Sequence, residues 1–348
     1  MKKRKFMLAY RLDGGIGLGI GHLRKGLNLA RALSKQPQRI ETIFFIKRDS
    51  EGMVYLRDHA QIVKRIPENA SWKEECDLMA RSRPDLVVLD VLDTDRRYVE
   101  RIKKQGVKVL SMEDRGTGAR LADVVINAIS EGVASKVLRH KRQTIFRGGN
   151  YRIFHEAYDS IRKNPGKKRS IAVSFGGTDV WGITRKTVQA LLPLALDYKI
   201  VVVMGPSFPH ESEDYRALKH LAGSGRIELV ENAEHLANVF SSSLVAITGG
   251  GGTLYEVSRL GVPTLAIACV PDQAKNIRPF ERKGAVIYLG AVDEVPEIEI
   301  LEMTKSLLRD EKKRRRMAAN ARRLSDGKGR ERVVKIIGEL IRSNGGRT

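Results

Sequence analysis

The stretch Ile247-Thr248-Gly249-Gly250-Gly251-Gly252-Thr253-Leu254-Tyr255-Glu256 decides the fold. The apolar run before it, Leu244 to Ile247, reads as a buried strand. Four glycines follow, and the spacing from Thr253 to Leu260 is helical. A strand that turns through glycine into a helix points bare backbone N–H groups, and the positive end of a helix dipole, at one spot. A diphosphate suits that spot, which makes Gly250, Gly251, Gly252 and Thr253 candidate ligand contacts. Glu256, one turn into the helix, is placed to accept two hydrogen bonds from vicinal hydroxyls such as those of a ribose. The plainer reading of the same residues is a flexible turn followed by a surface glutamate. Neither a P-loop nor a dinucleotide signature is present.

Outward from this turn, strands alternate with helices. Phe6–Tyr10, Thr42–Ile46, Leu86–Val91, Val107–Ser111 and Val124–Ile126 read as strands, with helical stretches such as Tyr98–Lys104 between them. Leu23, Leu27, Ala30 and Leu33 recur at helical spacing after the glycine-rich loop Arg11–His22. Near Asn164-Pro165-Gly166 the pattern restarts. Lys167 to Gly177 repeats the opening: basic residues, a strand, then glycines. Later strands are Ile200–Met204, Ile227–Val230, Leu244–Ile247, Thr264–Ala268 and Val286–Leu289, and Lys312 to Ile341 reads as mostly helical. The fold class is α/β, as two Rossmann-like doubly wound domains over 1–165 and 166–348. The final helix is free to pack back on the first domain. In such sheets ligands sit beyond the carboxyl ends of the strands. The glycine loops 14–21, 176–177 and 249–252 all fall there.

A chain of 348 residues with 42% apolar content is ample for two cores. No run of about 18 apolar residues occurs, so no membrane span is expected. The basic start Met1–Lys5 leads into only a short apolar run, a strand entry and not a signal peptide. Cys76 and Cys269 show neither metal nor disulfide spacing, which suits a reduced cytoplasmic protein. The net charge of +22 admits nucleic acid, an anionic membrane face or phosphate-rich substrates. The basic residues are scattered and only 6% of the chain is aromatic, with no nucleic-acid-binding signature, so nucleic acid is not expected as partner. Peripheral contact with the inner membrane face is the better use of the charge.

Gly250 to Pro263, GGGTLYEVSRLGVP, followed by Pro271-Asp272-Gln273 and Asn276, resembles the nucleotide-sugar site of GT-B enzymes. The likeness extends to the transferase of lipid-linked peptidoglycan synthesis, the UDP-sugar hydrolase of the pseudaminic acid pathway and the spore-coat polysaccharide glycosyltransferases. It implies two domains facing a cleft, UDP as the nucleotide, and donor-sugar contacts from Gln273 and Asn276. The first-strand loop of these proteins reads R-x-D-x…G-x-G-H-x-x-R. Arg11, Asp13, Gly19, Gly21 and His22 match it, with Lys25 in place of the last arginine. Lysine keeps the charge and loses the bidentate fork.

His22 falls at a helix N-terminus, where the dipole disfavours imidazolium and leaves a ring able to accept a proton. The resemblance implies that His22 is the general base for water or a sugar hydroxyl; a capping or structural histidine is the alternative. Asp13 either orients that ring or a sugar hydroxyl, or is a plain loop residue. Gly21 and Lys25, and Ser174, Gly176 and Gly177 at the opening of the second domain, complete the candidate contacts. No metal-ligand spacing appears, so neither metal nor cofactor is expected beyond the UDP-sugar substrate. The expected reaction is cleavage of an anomeric C–O bond with inversion and release of UDP, by hydrolysis of a deoxyamino sugar nucleotide or, alternatively, by glycosyl transfer to a surface-polysaccharide or lipid-linked acceptor. A non-catalytic nucleotide-sugar or polyanion-binding protein is a third possibility. The hydrolase usually carries a Tyr two residues after the Asp that ends a first-domain strand. Leu92 stands at that place after Asp90. The stretches Met112–Gly116 and Ala122–Ala128 look closer to the spore-coat branch.

Overall fold

The computed structural model describes residues 5–15, 20–47, 50–60, 62–129, 135–161, 170–177, 179, 181–205, 208–231, 233 and 235–344. Two compact units emerge, one of Met1–Ser130, Ala134–Phe154 and Gly327–Thr348, the other of His155–Asp326. The boundary expected near 165 lies outside the described residues.

The first unit runs β1 (Phe6–Leu12), α1 (Gly21–Ser34), β2 (Ile40–Ile46), α2 (Ser50–His59), β3 (Val63–Arg65), α3 (Trp72–Ala80) and β4 (Leu86–Asp90). It continues through α4 (Arg96–Lys104), β5 (Lys108–Met112), β6 (Val124–Asn127), β7 (Lys136–His140) and β8 (Gln143–Arg147). The sheet order is β3-β2-β1-β4-β5-β6-β8-β7, with β7 antiparallel to β8 and the other pairs parallel. Side chains of β1 alternate between two cores. Leu8, Tyr10 and Leu12 join Leu23 and Leu27 of α1, while Ala9 joins Met79 of α3 and Val99 and Ile102 of α4. Burial on both faces is why these strands read as continuous apolar runs. The β7–β8 hairpin went unread because β7 is exposed throughout and has no apolar face to betray it.

The second unit runs β9 (Ser170–Ser174), α5 (Ile183–Leu191), β10 (Lys199–Met204), α6 (Glu213–Gly223), β11 (Glu228–Glu231), α7 (Ala237–Ser241) and β12 (Ser243–Thr248). It ends with α8 (Gly252–Leu260), β13 (Thr264–Ala268), α9 (Pro271–Arg282), β14 (Val286–Ala291), α10 (Glu297–Arg309) and α11 (Glu311–Arg322). Its parallel order is β11-β10-β9-β12-β13-β14. The helical tail read from the sequence is two helices, because Gly327, at φ +78°, stands between α11 and α12 (Gly329–Asn344). Val333, Ile337 and Ile341 of α12 join the α1 core of the first unit. Each such buried side chain stabilises the docking by roughly 1.5–3 kcal/mol.

Both expected doubly wound units are therefore present. In each, the winding reverses between the first and fourth strands: β1/β4 in one, β9/β12 in the other. Beyond the carboxyl ends of those pairs is where α/β sheets hold ligands.

Candidate active site

At the β1/β4 switch point the side chains are charged and buried. His22, the second residue of α1, points its Nδ1 at Asp90 Oδ1, 2.7 Å away. Asp90 closes β4 and is 1% exposed. Its other oxygen accepts from the Tyr10 hydroxyl at 2.9 Å. With a carboxylate accepting at Nδ1, the neutral ring carries its proton there and presents a bare Nε2. That is the arrangement of a positioned general base.

Lys25 lies one turn along α1, on the same face as His22. Its ammonium is 2.8 Å from Asp90 Oδ1 and 2.8 Å from Glu113 Oε2. Arg152 reaches the other Glu113 oxygen at 3.3 Å. Burial pushes the Asp90 carboxyl up, but Lys25 and then His22 outweigh it and hold the group well below the usual carboxylate range. Burial likewise raises Glu113, and Lys25 and Arg152 override it, so Glu113 too is lowered. For Lys25 burial lowers the value, and Asp90 and Glu113 together raise it. Ligand atoms of His22, Asp90 and Glu113 all lie within 4.8 Å of one another, a spacing a metal would accept. The Lys25 ammonium already bridges the two carboxylates.

Two expectations for this loop are corrected. Asp90, not Asp13, orients the His22 ring. Asp13 is taken up by Arg11 Nη1 at 2.7 Å and accepts from the Lys47 backbone N–H at 3.0 Å. Arg11 is itself buried, with Nε 2.5 Å from Glu75, which also accepts from Tyr98 at 2.6 Å. Asp13 thus fastens the chain leaving β1. Lys25, expected to meet substrate, is 6% exposed and turned inward to the two carboxylates. Gly21 is exposed, with nothing within 4 Å of an added Cβ. Gly19 lies outside the described residues.

The β9/β12 switch point is built from backbone. Gly251 is the N-cap of α8; no side chain caps it and no acidic residue occupies the first turn. The donors of Gly252 and Thr253 therefore start the helix without a side-chain acceptor from the cap, as an anion site requires. Gln273 at the start of α9 accepts from Gly250 N at 3.0 Å and from Cys269 N at 3.1 Å. Asn276 Nδ2 donates to Gly250 O at 3.2 Å. These two, expected at the donor sugar, hold the glycine loop in shape. A Cβ at Gly250 would lie 2.5 Å from Gln273 O and 2.8 Å from its Cβ, whereas one at Gly251 meets nothing within 4 Å. Gly250 is glycine for packing; Gly251 leaves room.

Glu256 is half-buried one turn into α8. Ser174 and Thr248 pair across the ends of β9 and β12, and both hydroxyls are buried with no partner among the described residues. Gly176, at φ +97°, and Gly177 follow Ser174, and Gly205 approaches them too closely to carry a side chain. Asp179 accepts from Ile183 N and Thr184 N and so caps α5. Asp90 entered the sequence reading only as the end of a strand, and Glu113 and Arg152 had no role in it. The signal available for Asp90 was its place at the end of the fourth strand, the switch point itself.

Comparison with known proteins extends this picture. Residues 175–333 match the Glycosyltransferase family 28 C-terminal domain. The whole chain is similar to the spore coat polysaccharide biosynthesis protein SpsG of Bacillus subtilis, 28% identical over 94% of this chain and 96% of that protein. A UDP-N-acetylglucosamine–N-acetylmuramyl-(pentapeptide) pyrophosphoryl-undecaprenol N-acetylglucosamine transferase of Acetivibrio thermocellus is 26% identical over 62% of this chain and 61% of its own length. Among solved structures, MurG of Acinetobacter baumannii superposes with a TM-score of 0.67 at 14% identity, covering 96% of this chain and 99% of that one. The fold is GT-B, and these likenesses support an enzyme with a glycosyltransferase or related activity. These relatives favour the transferase alternative over the hydrolase that headed the sequence reading. No helix among the described residues is long and apolar enough to cross a membrane.

Proposed function

We propose that the protein is an inverting glycosyltransferase that moves a sugar from a UDP-sugar donor to a surface-polysaccharide or lipid-linked acceptor. The observation that carries the reading is the His22–Asp90 pair at the first switch point, in a chain whose second switch point is an uncapped helix start lined with glycine. The donor diphosphate lies against Gly250–Thr253, and Glu256 takes the ribose hydroxyls. The acceptor hydroxyl oxygen attacks the anomeric carbon while the bond from that carbon to the β-phosphate oxygen breaks. The proton passes to His22 Nε2, and UDP leaves with its charge stabilised by the α8 N-terminus. This scheme calls on no resident metal. Peripheral contact with an anionic membrane belongs to the same reading, supported by the net charge of +22 and by exposed Lys312, Arg315 and Arg316 on α11.

A panel of UDP-sugars, incubated with the protein and followed by NMR, tests the reading. UDP release that requires a polysaccharide or lipid-linked acceptor, and that is lost in His22→Ala, is the expected result. Free sugar formed with no acceptor would assign hydrolysis instead.

A further inference from the structure

His22, Asp90, Lys25, Glu113 and Arg152 form one line of alternating charge, each member within 3.3 Å of the next. Its far end is fastened by the C-terminal segment. Gly329, the first residue of α12, sits so close to the Arg152 backbone that a Cβ there would collide with it. Arg332 Nη1 donates to Asn150 O at 2.9 Å, and Arg330 Nη1 to Phe154 O at 3.2 Å. The segment that carries Arg152 is thus held on both sides by α12. The middle of the line bears a second mark of construction. Glu113 adopts φ +58°, a left-handed conformation that costs a non-glycine residue about 1–2 kcal/mol. It persists because Glu113 N donates to Ile126 O at 2.9 Å and the carboxylate is gripped by Lys25 and Arg152. Strain of this kind gathers where a side chain must be aimed.

We propose that Lys25, Glu113 and Arg152 are positioning residues that set the electric field on the Asp90–His22 pair, with α12 seating the far end of the line. The proposal rests on His22 as the base. Its physical content is a sign pattern. Each charge in the line acts through the next, in a site shielded from water. Removing a cation, Lys25 or Arg152, leaves more negative charge around the ring and favours imidazolium. Removing the anion Glu113 frees Lys25 for Asp90 and disfavours imidazolium. Among the described residues, the other titratable group against Asp90 is Tyr10 from β1, kept protonated by burial and then by Asp90 itself. A merely structural cluster would loosen the ring in all variants alike.

The test uses the full chain labelled with [15N]histidine and titrated by long-range 1H–15N NMR, with His22 assigned among the seven histidines by its loss in His22→Gln. The wild-type neutral ring is expected protonated at Nδ1. Arg152→Gln, Lys25→Met and Gly329→Ala move its titration to higher pH, and Glu113→Gln moves it to lower pH, each on the order of half a pH unit or more. Lys25→Arg stays with the wild type. Should the buried Lys25→Met fail to fold, Arg152→Gln and Glu113→Gln carry the opposite-sign test alone. Shifts of one sign, or no shift in folded variants, overturn the proposal. No substrate is needed, so this outcome is separate from the UDP-sugar assay that tests the transferase reading.

Discussion

The two units share one winding order and have opposite interiors at its switch point. In the first, the ends of β1 and β4 gather a tyrosine, a histidine, a lysine and two carboxylates, completed by an arginine after β8. In the second, the ends of β9 and β12 offer glycine backbone, two hydroxyls without a partner among the described residues, and a glutamine that accepts from the loop. Its acidic residue Asp179 is turned to capping α5. Ordered charge suits proton transfer, which needs a base of fixed tautomer. Bare N–H groups suit a dianionic leaving group, which needs many donors and no competing carboxylate. One topology has been used twice, and the side chains at the crossover decide the chemistry.

The largest effect should come from the charged side. His22→Ala lowers turnover by about 10²–10⁴ fold, the usual worth of a general base. Asp90→Asn falls in the same range, because an amide no longer fixes Nδ1 as the donor. Turnover of wild type in either variant would place the base elsewhere. A second comparison lies within the glycine loop. Gly250→Ala forces α9 away and costs about 1–3 kcal/mol, read as a lowered thermal midpoint. Gly251→Ala, with open space around it, costs less, losing only glycine's advantage over alanine at an N-cap. Equal destabilisation would break the division between a packed and an open glycine.

The smallest effect is on acid stability. Asp90 and Glu113 are held below the usual carboxylate range when folded. The stability they add is full above their unfolded values of about 4 and is lost as pH falls through those and on toward the folded values. Lys25 is raised, so its share is full below about 10.4 and lost as pH climbs beyond. Denaturant midpoints should therefore fall more steeply below about pH 5 in the wild type than in Glu113→Gln. Parallel curves would show that Glu113 contributes nothing through its charge.

Much of this was legible from residues alone. The strands were, because a parallel sheet buried on both faces leaves unbroken apolar runs such as Ile171–Val173 and Leu265–Ala268. So were the glycine turn that opens α8 and the helix start that carries His22, because glycine after an apolar strand marks where a helix can begin. The partners of those residues were not. Asp90, Glu113 and Arg152 are far apart in the chain and meet only because β4, β5 and β8 end on one side of a sheet. For Lys25, Gln273 and Asn276 the residues were legible and their contacts within the protein were not. A polar head near a switch point serves the protein's own loop as readily as a ligand, and sequence does not say which way it turns.

Calorimetric titration of UDP into the full chain tests the division of labour most directly. His22→Ala should bind UDP within about twofold of the wild type, because a base at the other switch point adds nothing to the ground-state grip on the nucleotide. Gly251→Asp should lose at least about tenfold in affinity. Its carboxylate enters the open space at the α8 N-cap, takes the donors meant for phosphate, and leaves the thermal midpoint equal to or above that of the wild type. UDP affinity that survives Gly251→Asp, or that collapses in His22→Ala, would contradict the account.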